Sequence, residues 1–257
     1  MVRLLPLAAI LAATLAGQTI SWDKAPSTRL PRKWTASLQT GLTETFQLTL
    51  GGVFGDGPAW QNKVSISYQN VFTNHDSITL HGWMTHDTPS HGNDWLAGIN
   101  YRALVWRRRG QTLHLTGGVQ KWRFPSVLKG ANDWLVAGTA LYQTKLGKFP
   151  VAVNSDAWTI LYSPLPGGSL VHTQAYNVQP LAQGDNWSLS LKHGPQHTYS
   201  WNFYSTHGHR VVRYAAGLVA RRGPHSFEAG YRKQWGLQAR IPNNNYWSFC
   251  YTRDFSF

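Results

Sequence analysis

Val64-Ser-Ile-Ser-Tyr-Gln69, Trp187-Ser-Leu-Ser-Leu191 and Trp247-Ser-Phe-Cys-Tyr-Thr252 each put an apolar side chain at every second position. A helix would need a repeat of about 3.6 residues, whereas a strand turns successive side chains to opposite faces, so strict alternation describes a strand with one apolar and one polar face. The pattern recurs along the whole chain. Strands whose outer face meets lipid and whose inner face meets water close into a barrel, because hydrocarbon leaves no open edge satisfied. The expected fold is therefore all-β: a transmembrane, antiparallel up-and-down β-barrel.

The front of the chain reads differently. Arg3, the apolar stretch from Leu4 to Leu15 and the small-residue site Thr14-Leu-Ala16 form an export signal over residues 1–16. Residues 17–33 are polar and contain proline without periodicity, and read as a flexible entry segment. The barrel then occupies 34–257. No later apolar run reaches the roughly 18 residues of a membrane helix. No cysteine near the cleavage site could carry a lipid, and the single Cys250 excludes an internal disulfide, which leaves it a small side chain on the polar face.

Thirteen Trp, eleven Tyr and ten Phe are the compositional outlier, and many fall at strand ends, among them Trp95, Trp106, Trp122, Trp134, Trp187, Trp235 and Trp247. Amphipathic rings collect where hydrocarbon meets headgroups, forming two girdles. A formal charge of +13 would raise nucleic acid as a partner in a cytosolic chain, but an exported one meets none. Arg107-Arg-Arg109 and Arg221-Arg222 read as solvated turns, with lipid phosphate as the alternative. Acidic residues are few and scattered, and Thr206-His-Gly-His209 offers two imidazoles without a third ligand. No metal or cofactor is expected.

Turn-forming clusters divide the chain into thirteen apolar segments, whereas single-chain bacterial barrels have an even number of strands. Leu170 to Gln179 alternates most weakly and is flanked by Pro164, Pro166 and Pro180. Setting it aside gives twelve strands and a long loop from Ser163 to Asp185. Arg107 to Gln111, Leu146 to Pro150, His193 to Gln196 and Gly223 to His225 are then short turns on the side of the termini. Fourteen strands would follow if Trp34 to Phe54 held a hairpin at Thr40-Gly41.

The last strand carries Trp247, Phe249, Tyr251, Phe255 and the final Phe257 on one face. It resembles the C-terminal recognition strand of Gram-negative outer-membrane proteins. The resemblance implies location in the outer membrane, outer-membrane lipid as the surrounding partner, and recognition of Tyr251, Phe255 and Phe257 by the barrel assembly machinery. Arg253 departs from the pattern on the lipid face, where position near the interface makes it cheap.

With the apolar face outward, Asn100, Arg102, His114, Gln120, Asp156, Lys192, Arg213, Glu228 and Arg232 line the lumen. Cationic side chains slightly outnumber acidic ones, which favours anions in a low-dielectric wall. The expected role is porin-like passage or binding of small polar, anionic solutes. An enzyme is the second reading. Asn74-His-Asp-Ser77 resembles the Asn-His-x-Ser stretch of outer-membrane phospholipase A, which implies His75 as base and Ser77 as nucleophile. Where that family continues with Asn-Gly, Ile78-Thr79 stands here, and the same four residues are good turn formers. A third reading is a secreted ligand-binding β-sandwich, with the alternation burying a core between two sheets.

Overall fold

The computed structural model describes residues 29–43, 59–86, 94–123, 132–162, 168–201, 210–237 and 244–257. Twelve antiparallel strands follow one another in chain order: β1 (Lys33–Thr43), β2 (Ala59–Gln69), β3 (Ser77–His86), β4 (Trp95–Arg108), β5 (Gln111–Arg123), β6 (Asn132–Leu146), β7 (Phe149–Tyr162), β8 (Ser169–Gln183), β9 (Trp187–Trp201), β10 (Arg210–Arg222), β11 (His225–Gly236) and β12 (Asn244–Ser256). Each pairs with its sequence neighbours. β1 also pairs with β12, Thr35 opposite Ser256 through Leu42 opposite Phe249, and so closes the barrel. The proposed export signal and most of the entry segment lie outside the described residues.

The apolar face looks outward. Ile66, Leu80 and Ile99 are aligned neighbours on β2, β3 and β4, and they are 44%, 56% and 50% exposed. Removing one such side chain from water is worth about 1.5–3 kcal/mol, so a continuous exposed coat is stable only where hydrocarbon replaces water. Outward rings meet cations near both rims. Lys121 lies over Trp134 and Arg210 over Tyr199 at the end with the longer connections, and Arg253 lies over Phe255 at the other.

Twelve strands form, but two expected boundaries were misplaced. Leu170 to Gln179 is not loop: it is the body of β8, bonded to β7 and β9 on both sides. His193 to Gln196 is not a turn: it lies inside β9, whose ladder runs unbroken from Trp187 to Tyr199 against β10. The prolines mislead because the sheet absorbs them. Pro180 sits at a register shift in β8, and Pro195 costs β9 only one donor. Gly194 beside it lets the β8 backbone at Ala175 approach too closely for any Cβ. Thr40-Gly41 continues β1, with Gly41 opposite both Gln61 and Cys250, so no fourteenth strand arises there.

Leu80 gives a direct check on outward lipid contact. Leu80→Arg should destabilise the folded barrel in phospholipid vesicles by about 2–4 kcal/mol, as a mid-wall cation does, whereas Ser65→Arg, facing inward on the adjacent β2, should cost far less. Urea titration followed by heat-modifiable gel mobility would measure both.

Candidate functional site: the barrel interior

The interior differs at its two ends. Where the longer connections lie, Gln61, Thr85, Leu96, Trp122, Leu135, Leu170, Ser200, Val211, Gln234 and Tyr246 turn inward and are buried, from ten of the twelve strands. Leu135 and Leu170 are 0% and 1% exposed. Trp122 packs against Trp158 with ring centroids 6.0 Å apart, and its indole N–H donates to Gln120 Oε1 at 2.9 Å. These side chains form a collar. The alternation that faces Trp134 and Val119 outward drives their neighbours Leu135 and Gln120 inward, so the same pleat builds coat and collar.

Below the collar the wall is polar. Asn100 Nδ2 meets His81 Nε2 at 3.0 Å, Asp156 accepts from Thr139 at 2.7 Å and Asn154 at 2.6 Å, and Arg213 Nε donates to Gln234 Oε1 at 2.8 Å. Lys192 lies 3.4 Å from Glu228, both more than a third exposed to the interior, and its ammonium stands 5.3 Å from the Tyr176 ring. Lys63 is within electrostatic reach of both Arg232 and Glu228. The inward wall thus holds the cations Lys63, Arg102, Lys192, Arg213 and Arg232 together with the acids Asp156 and Glu228.

The cluster borders a niche. Gly194, Ala215, Gly217, Gly230 and Ser248 occupy adjacent inward positions on β9 to β12, and the near absence of side chains leaves a cavity of about 50 Å³ edged by Lys192, Glu228, Arg232 and Gln196. That volume suits one small ion with water. Gln196 Oε1 is buried there without a donor, while its Nε2 donates to Gln174 at 3.3 Å. Rotating that amide would aim N–H groups into the niche.

All nine lumen residues inferred from the sequence occupy inward positions in the register. The niche and its charge cluster bring together Lys192, Glu228 and Arg232; Asn100, Gln120, Asp156 and Arg213 are tied into separate wall contacts. His114 stands near Arg102 and Arg107. Lys63, Gln174 and Tyr176 were missed. The last two lay in the segment set aside as loop, and Lys63 was readable from Val64 and Ile66 facing the other way.

At the opposite rim His75 lies in the β2–β3 connection and Ser77 opens β3, paired with Gln69 and Arg102. Asp76, fully buried, organises that turn: its Oδ2 accepts from the backbone N–H of Phe72 at 3.0 Å and Thr73 at 2.9 Å and from Tyr101 Oη at 2.9 Å. Asn70, at φ 58°, accepts from the His75 backbone N–H at 3.0 Å and donates to Pro31. No hydrogen bond joins His75 to Ser77 among the described residues. Burial, then the Arg107 guanidinium, hold the His75 imidazole below its ordinary 6.5. This is turn chemistry without a nucleophile–base contact.

Tyr251 and Phe255 face outward. Tyr251 Oη pairs with His225 Nδ1 at 2.7 Å, Phe255 and Phe257 stack with centroids 6.4 Å apart, and the Phe257 N–H donates to the Trp34 carbonyl at 2.9 Å.

Two measurements follow from the turn. Asp76→Ala should destabilise the barrel by about 2–4 kcal/mol by stranding three donors, and Ser77→Ala by less than about 1 kcal/mol, read by urea titration in vesicles. An imidazole whose folded midpoint lies below 6.5 favours the folded state above that pH and disfavours it as pH falls. The His75 NMR titration should show the depressed midpoint, and Arg107→Gln should raise it.

No protein-family profile matches the chain, and no curated protein does. Solved structures do. An outer membrane channel from Pseudomonas putida F1 superposes with a TM-score of 0.55 at 13% identity, over 91% of this chain and 100% of that one. The β domain of the Bordetella autotransporter BrkA (TM-score 0.50, 13% identity, 88% and 99% covered) and LpxR from Salmonella typhimurium (0.50, 8%, 86% and 99%) match similarly. The three share a shape over nearly their whole length and little sequence. By closed twelve-strand topology, outward apolar coat and these likenesses, the chain has the outer-membrane β-barrel fold.

Proposed function

We propose that this protein is an exported, integral outer-membrane barrel that binds small anionic solutes in its polar interior and passes them through the collar. The observation that carries the reading is the excess of the inward cations Lys63, Arg102, Lys192, Arg213 and Arg232 over Asp156 and Glu228, with Lys192, Arg232 and Glu228 bordering a niche of small residues. Inside a low-dielectric wall such charges act over a longer range than in bulk water and raise the local concentration of anions. The Lys192–Glu228 pair holds the ammonium in place without neutralising the cluster.

The collar sets the rate in this reading. Leu96, Leu135, Leu170 and Val211 give a constriction of the kind that gates by excluding water. Residues Tyr251, Phe255 and Phe257 serve assembly by the barrel machinery, and membrane lipid is the partner of the outer coat. Hydrolysis by His75 and Ser77 gains no support from the turn they occupy.

Planar-bilayer recording of the purified protein in a KCl gradient tests the proposal. The reversal potential should show chloride preference, and Lys192→Gln with Arg232→Gln should reduce the chloride-to-potassium permeability ratio about threefold or more. Leu135→Ala with Leu170→Ala should raise conductance. Cation preference in the wild type, or a ratio unmoved by the double substitution, would overturn it.

A further inference from the structure

The outward coat is not uniform. β1 to β6 and β10 to β12 each expose at least one large apolar side chain, yet among the described residues none lies within 147–160, 168–180 or 188–200. These spans are the bodies of β7, β8 and β9. Their outward positions mix Ser155, Thr173, Asn177, Gln179, His193 and His197 with the half-buried Val151, Val153, Val171, Leu189, Leu191 and Tyr199. Some are paired within the wall: Ser155 Oγ with Thr173 Oγ1 at 3.0 Å, Gln179 Nε2 with His193 Nε2 at 3.2 Å, and His193 Nδ1 with Tyr214 Oη at 2.7 Å. Asn177 Oδ1 is covered and has no donor.

Lipid chains offer such groups nothing. Polar side chains facing hydrocarbon gain by meeting other polar side chains, which is how spanning segments associate. The sector is also neutral: between Val151 and Tyr199 no outward position on these strands holds Asp, Glu, Lys or Arg, in a chain of net charge +13. Two cationic copies repel wherever their charges meet, and here they do not. Ser, Thr, Asn, Gln and His each donate and accept, so the set is complementary to itself, as a two-fold contact requires. Three strands about 4.8 Å apart over a band about 25 Å tall make a strip that suits two convex walls touching side by side.

We infer that the polar sector of β7 to β9 is the contact face for a second copy of the chain within the membrane. A two-fold arrangement sets the polar side chains of one wall against the same set on the other and takes them out of contact with lipid. The contact lies on the outside of the wall and is independent of any conduction through the interior.

The experiment is analytical ultracentrifugation of the full chain in detergent, with single-molecule FRET in phospholipid vesicles at varied protein-to-lipid ratio. The wild type should dimerise, and Thr173→Val, Asn177→Leu and His193→Leu together should weaken the dimer tenfold or more. These changes make the coat more apolar, so folding should persist, checked by heat-modifiable mobility. Leu80→Gln on the opposite wall should leave the dimer unchanged. A folded wild type that stays monomeric at every ratio, or a dimer that the triple variant does not weaken, overturns the inference. So does a wild type that cross-links through this sector only to a different protein.

Discussion

Everything in this structure rests on one requirement: in hydrocarbon each backbone N–H and C=O must find its partner within the protein. A sheet meets it only by leaving no edge, and the pairing of β1 with β12 removes both. Closure then dictates the rest. Once strands form a ring, period-two side chains have only outside and inside to occupy, and the assignment of Leu80 to lipid fixes His81 to the interior.

Inside, the same rule distributes two environments along one axis. Leu96, Trp122, Leu135, Leu170 and Val211 are buried at the end with the longer connections, while the charged Lys63, Lys192, Glu228 and Arg232 lie below them. Glycine and alanine at Gly194, Ala215, Gly217 and Gly230 matter as much as the charges, because they leave the space that long side chains would fill. A barrel of twelve strands is wide enough to keep such a niche and narrow enough for wall residues to close one end.

The alternation of Val64 to Gln69 or Trp247 to Thr252 is visible in sequence because hydrocarbon tolerates few polar residues at outward positions. It fails where that pressure is lifted. Leu170 to Gln179 looked like loop because its outward Thr173, Asn177 and Gln179 break the pattern, and the polar wall that hid the strand is the feature that distinguishes β8. His193-Gly-Pro-Gln196 reads as a turn by local chemistry alone, since the flanking ladder that holds it straight is set by distant residues. The charged interior was partly legible from parity. The niche was not, because it depends on small residues from four strands meeting side by side.

Closing the ring joins residues at opposite ends of the chain: Gln39 Nε2 donates to Thr252 Oγ1 across 213 positions of sequence. Contacts of that separation form slowly, because a long stretch of chain must be ordered before they are made. Until β12 arrives, β1 and β11 each present an unpaired margin, open to adhesion with any other incomplete sheet. Maturation is thus limited by the final strand, and the waiting interval is when the nascent protein most needs shelter.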